Sequence, residues 1–204
     1  MEWVPVDEVP ALASRPADLD LVAAWRKGPQ RTRALIVLRH ANAVARRNWD
    51  GPDHERPLTP RGRVQAEALP GLLAAYGVTR LISSPSARCT QTLTPYAHGL
   101  LGRAPIELDP AFDEVDVEEA GPALLALLGR PAAGDAGQHG GRGIVVSTHR
   151  PTLTPLLTAL REHADIELPG GKLAKAGMHV LHVAAGRVVA SETHEQGKVR
   201  AYTG

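Results

Sequence analysis

At 204 residues the chain is long enough for one well-buried α/β domain and too short for two enzymatic domains of ordinary size. Lys and Arg total 23 against 22 Asp and Glu, a net charge of +1, so no broad basic field exists for a nucleic-acid polymer or an anionic membrane, and any phosphate recognition must be local. A single cysteine excludes an internal disulfide; with no leader-like segment or long apolar run, a cytoplasmic protein is expected. Aromatic residues make up only 3 %, which suits a Leu/Val/Ile/Ala sheet between helices better than an aromatic platform for bases.

Residues 1–30 open with a Pro-punctuated lead and a helical pattern ending near Trp25, separable from the remainder of the chain. The run Ala34-Leu35-Ile36-Val37-Leu38 predicts a fully buried strand with Arg39-His40 at its C-terminal end, the end at which open α/β sheets bind ligands. After a polar loop through Asp53, Thr59-Pro60 predicts an N-cap with proline at the first helical position and a helix to about Ala75. A strand near Arg80-Leu81-Ile82, a tight Ser83-Ser84-Pro85 loop and a helix entered at Ser86 come next, with Arg88 in the first helical turn. Residues 130–142, rich in Gly and containing His139, read as a flexible connector. Gly143-Ile144-Val145-Val146-Ser147 is a second buried strand, with Thr148-His149-Arg150-Pro151 leading into a helix from Thr152 to about Arg161. Residues 178–191 alternate about Ala185-Gly186 as a β-hairpin. The whole predicts a three-layer α/β/α sandwich with a mostly parallel sheet.

Three strand ends therefore carry Arg39-His40, Arg88 and His149 to one sheet edge. A phosphoryl group in transfer spreads negative charge over three oxygens and needs positioned cations plus an in-line nucleophile. Arginine offers a planar fork for phosphate oxygens, and neutral imidazole is nucleophilic near pH 7. Asn42 either contacts phosphate or caps the turn after His40, and Arg150 either lines the mouth or faces solvent. Arg46-Arg47 reads as a solvated pair that helps collect an anion. Cys89 reads as a small buried hydrophobe. His179 and His182 fall on opposite faces of the hairpin, which argues against a shared metal with His194.

These motifs resemble the histidine phosphatase superfamily, also called phosphoglycerate mutase-like, across residues 34–194. The family's Arg-His-Gly stands here as Arg39-His40-Ala41, with alanine replacing glycine. Further matches are Arg56-Pro57-Leu58-Thr59-Pro60-Arg61-Gly62 with Gln65-Ala66, Ser83-Ser84-Pro85-Ser86-Ala87-Arg88, and Val146-Ser147-Thr148-His149. The resemblance implies a metal-independent phosphomonoester hydrolase, without organic cofactor, that works through a phosphohistidine. His40 would be the nucleophile, Arg39 and Arg88 the phosphate clamps, and His149 the stabiliser of the transferring group, with Arg56 at the substrate. The stretch from Asp109 to Asp116 is similar to the family's proton-donor region and places Glu114 as donor, the alternative being a solvated carboxylate in an acidic run.

Residues 1–30 are similar to the closing segment and last helix of a Nudix hydrolase, a domain that actinobacterial proteins of the MutT1 type join to a histidine phosphatase domain, here expected over residues 31–204. The Nudix box itself is missing, so no Mg²⁺-dependent pyrophosphatase is expected. Substrate class is left between a small phosphate such as a nucleotide and, by the compact loops, a protein phosphohistidine. A non-catalytic phosphate-binding module is the third alternative, motivated by Ala41.

Overall fold

A computed structural model describes residues 4–5, 7–13, 15–27, 32–99, 104–115, 117–129, 143–195 and 198–203. The connector 130–142 with His139, the loop 28–31, and Asp116 lie outside the described residues. In chain order the elements are α1 (Val9–Leu12), α2 (Pro16–Lys27), β1 (Arg33–Arg39), α3 (Pro60–Glu67), α4 (Pro70–Ala75), β2 (Val78–Ser83), α5 (Ala87–His98), β3 (Ile106–Leu108), α6 (Ala120–Leu128), β4 (Gly143–Thr148), α7 (Arg150–Ala159), β5 (Met178–Ala184), β6 (Arg187–Glu195) and β7 (Lys198–Thr203).

The strands form one seven-stranded sheet in the order β3-β2-β4-β1-β5-β6-β7. The β3-β2-β4-β1 half is parallel and the β5-β6-β7 half is an antiparallel meander, so the sheet is mixed. β1 has no solvent-facing side because its alternate residues enter different cores. Leu35 and Val37 pack with Leu124 and Leu127 of α6 and Leu153 and Leu156 of α7. Ala34, Ile36 and Leu38 pack with Leu69, Leu73, Leu93 and Tyr96 on the α4/α5 face. Each fully buried leucine contributes roughly 1.5–3 kcal/mol of transfer free energy, and this two-sided burial explains an uninterrupted apolar run where a half-exposed strand would alternate.

Connections before β3 pack on one face and those after it on the other, and β4 inserts between β2 and β1. Chain reversal of this kind opens a crevice beyond the carboxyl ends of the central strands. The registers Arg39↔Thr148 and Ser83↔Ser147 bring the ends of β1, β4 and β2 level at that edge.

The expected helix from Pro60 to Ala75 is two helices instead. Pro70 has no N–H for the Ala66 carbonyl, so the Leu69 N–H takes that oxygen at 3.2 Å and α4 starts afresh with Pro70 in its first turn. α7 also ends two residues before the expected Arg161, which lies in a subsequent 3-10 turn. α1 and α2 carry the exposed residues Leu12, Leu19 and Leu21, and none of their described side chains belongs to the buried clusters. No helix of the described residues is long and apolar enough to cross a membrane.

Candidate active site

His40 follows β1 directly and is 8 % exposed. Its N–H donates to the Thr148 carbonyl at 3.0 Å, which ties the residue to the end of β4. Its Nδ1 lies 2.7 Å from the Ala41 carbonyl oxygen. A carbonyl oxygen only accepts, so the proton sits on Nδ1 and Nε2 carries the free lone pair. Burial, helped by the charges of His149, Arg88 and Arg39, lowers the ring's pKa to about 3 against the smaller opposing effect of the Ala41 bond. His40 is thus a neutral imidazole at physiological pH, the form that can attack phosphorus.

The loop after His40 is held from three directions. The Ala41 N–H donates to Thr92 Oγ1 at 2.9 Å, and the Asn42 N–H to Gln65 Oε1 at 2.9 Å. The Asn42 side chain donates to Thr59 Oγ1 at 3.2 Å and accepts from Lys175 Nζ at 2.7 Å, so this amide is spent on organising the loop. Thr59 is the N-cap of α3, accepting from the Gly62 N–H at 3.0 Å. A Cβ on Gly62 would stand 1.9 Å from the Asn42 carbonyl oxygen, so only glycine lets α3 back against this loop.

His149, the residue after β4, is fully buried, and its ring centroid is 5.4 Å from that of His40 in an edge-to-face arrangement. Its Nε2 is 2.9 Å from Ser84 Oγ and 3.5 Å from Asp113 Oδ1, and its Nδ1 is 3.6 Å from Glu114 Oε2. Burial first, then the Arg88 charge, lowers its pKa to about 3. Cys89 Sγ lies 3.5 Å from the same ring, but burial pushes the thiol up to about 12 and leaves it an unreactive neighbour.

Arg88 sits in the first turn of α5, 1 % exposed. Its Nη1 donates to the Asp53 carbonyl at 2.8 Å, and its Nη2 is 3.0 Å from Glu114 Oε1 and 3.1 Å from Asp53 Oδ2. A guanidinium this deep persists only with matched anions, and these two carboxylates supply them. Asp53 is the hub of the network, bonded also by Arg56 Nε at 2.9 Å and Arg46 Nε at 3.0 Å. Partial burial alone would raise its carboxyl pKa, but the Arg56 hydrogen bond and the Arg88, Arg56 and Arg46 charges bring it down to about 2. Arg46, exposed as expected of the Arg46-Arg47 pair, also donates to Glu114, so it belongs to this network rather than standing free in solvent. Thr148 Oγ1 donates to the Phe112 carbonyl at 2.6 Å, anchoring the loop that carries Asp113 and Glu114 against β4.

The sequence-nominated residues divide into two groups. His40, His149, Arg88 and Glu114 come together directly. Arg39 instead directs Nη1 to the Leu173 carbonyl at 2.6 Å, Arg150 is an exposed first residue of α7, and Arg56 stands behind Asp53 with Nη1 on the Val44 carbonyl at 2.7 Å. Asp53, Asp113, Ser84 and Lys175 were not nominated. Ser84 lies within the Ser83-to-Arg88 motif, whereas nothing local joins Asp53 to Arg88 or Lys175 to Asn42, 35 and 133 residues away in sequence. His179 is buried on Thr193, while His182 and His194 share Glu192 with Tyr76; among the described residues no group of three or more His, Cys, Asp or Glu side chains could hold a metal ion. A neutral imidazole beside a second histidine, a buried fork of cation and a carboxylate is equipped to accept a phosphoryl group and protonate what leaves.

Residues 35–121 match the family model described as histidine phosphatase superfamily (branch 1). An 8-oxo-(d)GTP phosphatase of Mycolicibacterium smegmatis is 36 % identical over 132 residues, covering 63 % of this chain and 41 % of that protein, so the chain spans less than half of that relative's length. Among solved structures, a putative phosphohistidine phosphatase SixA from Nakamurella multipartita aligns with TM-score 0.58 at 23 % identity over 85 % of this chain and 98 % of that one. A protein histidine phosphatase SixA complexed with tungstate aligns with TM-score 0.52 at 24 % identity over 82 % and 93 %. At these identities the structural matches speak for the fold.

Proposed function

We propose that the chain, which matches the histidine phosphatase superfamily, removes a terminal phosphoryl group from a small phosphorylated substrate by way of a phosphohistidine on His40. The observation that carries this reading is the neutral His40 ring, its Nδ1 proton held by the Ala41 carbonyl and Nε2 left with its lone pair.

In the first step Nε2 attacks phosphorus in line with the leaving oxygen, the Nε2–P bond forms and the P–O bond breaks. Arg88, Arg39 and His149 stabilise the charge on the equatorial oxygens. Glu114 is the proton donor to the leaving oxygen; Oε1 is held by Arg88 and Arg46, and Oε2 faces the pocket histidine. In the second step water attacks the phosphohistidine and gives a proton to the Glu114 carboxylate, the Nε2–P bond breaks, and orthophosphate leaves with His40 and Glu114 restored. The cationic charge this chemistry needs comes from side chains of the chain itself, so the reading assigns no step to a metal. A nucleotide is the substrate class, supported by the relative named as an 8-oxo-(d)GTP phosphatase and by the Nudix-like sequence of residues 1–30.

Rapid quenching during turnover of a ³²P-labelled substrate tests the nucleophile. Label should appear on His40 as an acid-labile, base-stable adduct, and His40→Ala should lose both adduct and turnover. Label on a serine or aspartate, or normal turnover by His40→Ala, overturns the assignment.

A further inference from the structure

Every arginine in the Arg88 network has a carboxylate partner. A second group of cations, gathered around Arg39 and Lys175, has none among the described residues: Arg39, Arg61, Arg150 and Lys175 make no ion pair there. The loop carrying Lys175 is fastened to the nucleophile's own backbone. The Arg39 N–H donates to the Gly177 carbonyl at 2.9 Å, and the Ala176 N–H is shared between the Arg39 and His40 carbonyls at 3.2 and 3.3 Å. Ala176 adopts φ of 59°, a left-handed turn that a non-glycine residue holds only when its surroundings impose it.

Lys175 gives one of its three N–H donors to Asn42 Oδ1. Arg39 spends Nη1 on the Leu173 carbonyl, while its buried Nε has no hydrogen-bond partner. Burial lowers the pKa of both residues, and the neighbouring charges lower it further: Arg150 acts on Arg39, and Arg39, Arg56 and Arg61 act on Lys175. Partly buried like charges held together without a counterion are unfavourable in the free protein, and an arriving anion removes that cost. Donors left over and like charges in proximity are thus joined to a constrained loop that is hydrogen-bonded to the backbone of Arg39 and His40.

We infer that Lys175 and Arg150, on either side of Arg39, form an anion subsite next to the transferred group that receives a second phosphate, so that the phosphoryl group transferred is the end of a diphosphate chain. The inference deepens the phosphatase reading and rests on it for the chemistry, though not for the binding. With such a substrate the bond that breaks is P–O–P. The leaving group is itself a phosphate, whose developing charge is met by Lys175 and Arg150, so its departure depends less on a proton from Glu114.

Calorimetric titration of the full chain with inorganic orthophosphate and inorganic diphosphate tests the subsite without turnover. Wild type should bind diphosphate at least about tenfold more tightly, and Lys175→Met and Arg150→Met should each lower diphosphate affinity about tenfold more than orthophosphate affinity. Lys175→Arg should restore the preference. Arg161→Met, which removes an exposed charge beyond the far end of α7, should leave it intact. No preference in wild type, equal loss of both ligands in the two variants, or the same effect from Arg161→Met overturns the subsite. Failure to release phosphate from any substrate while the binding pattern holds would instead overturn the phosphatase reading and leave the subsite standing.

Discussion

Acid should unfold this protein through its histidines before its carboxylates. His40, His149 and His179 are all buried, and burial is the main cause that lowers their pKa values to about 3, about 3 and about 4. In the unfolded chain each returns to the ordinary value near 6.5. Between those values the unfolded state binds protons that the folded state refuses, so stability is full above about pH 6.5 and is lost as pH falls toward 4. Lowering pH from about 7.5 to about 5.5 should remove about 1.4 kcal/mol for each histidine, about 4 kcal/mol for the three, a large share of the roughly 5–15 kcal/mol of a typical domain. Asp53, with its carboxyl at about 2, adds a loss only below about pH 4. Urea unfolding of wild type and His179→Gln at the two pH values measures this. The variant should lose about 1.4 kcal/mol less on acidification. Equal losses in the two proteins, or no loss in wild type, would refute the burial argument. Because His40 stays neutral, the acid limb of kcat/KM should also begin well below pH 6.5.

Arg88→Ala should lower kcat/KM by about 3 kcal/mol, roughly a hundredfold, since the buried fork is a principal charge donor; a rate within about threefold of wild type in a phosphate-release assay would remove it from the site. Gly62→Ala should destabilise by about 1–3 kcal/mol, because its methyl group overlaps the Asn42 carbonyl and displaces the loop after His40; an unchanged Tm would contradict this. Phosphate release should persist in EDTA, and its complete loss with recovery on adding Mg²⁺ or Zn²⁺ would show that side-chain cations do not suffice.

Wherever neighbouring residues decide the outcome, the sequence alone was legible. The apolar run at residues 34–38 reads as a buried strand, Thr59 followed by Pro60 as a helix start, and Ser86 as the entry to a helix with Arg88 in its first turn. Those local rules also put His40, Arg88 and His149 at strand ends, so the main chemical groups of the site are legible in the sequence. β3 and α6 are not legible in the sequence: β3 has only three residues, and α6 opens on Gly121-Pro122, which reads locally as a turn although proline is tolerated in a first helical turn. Insertion of β4 between β2 and β1 decided that three distant strand ends would share one crevice. Tertiary structure alone joined Asp53 to Arg88 and Lys175 to Asn42, and it gave Asn42, open in the sequence between phosphate contact and turn capping, the hydrogen bonds that anchor the loop. Such contacts close loops of tens to more than a hundred residues, and their existence depends on packing energy summed over the whole sheet rather than on the conformational preferences of the residues that meet.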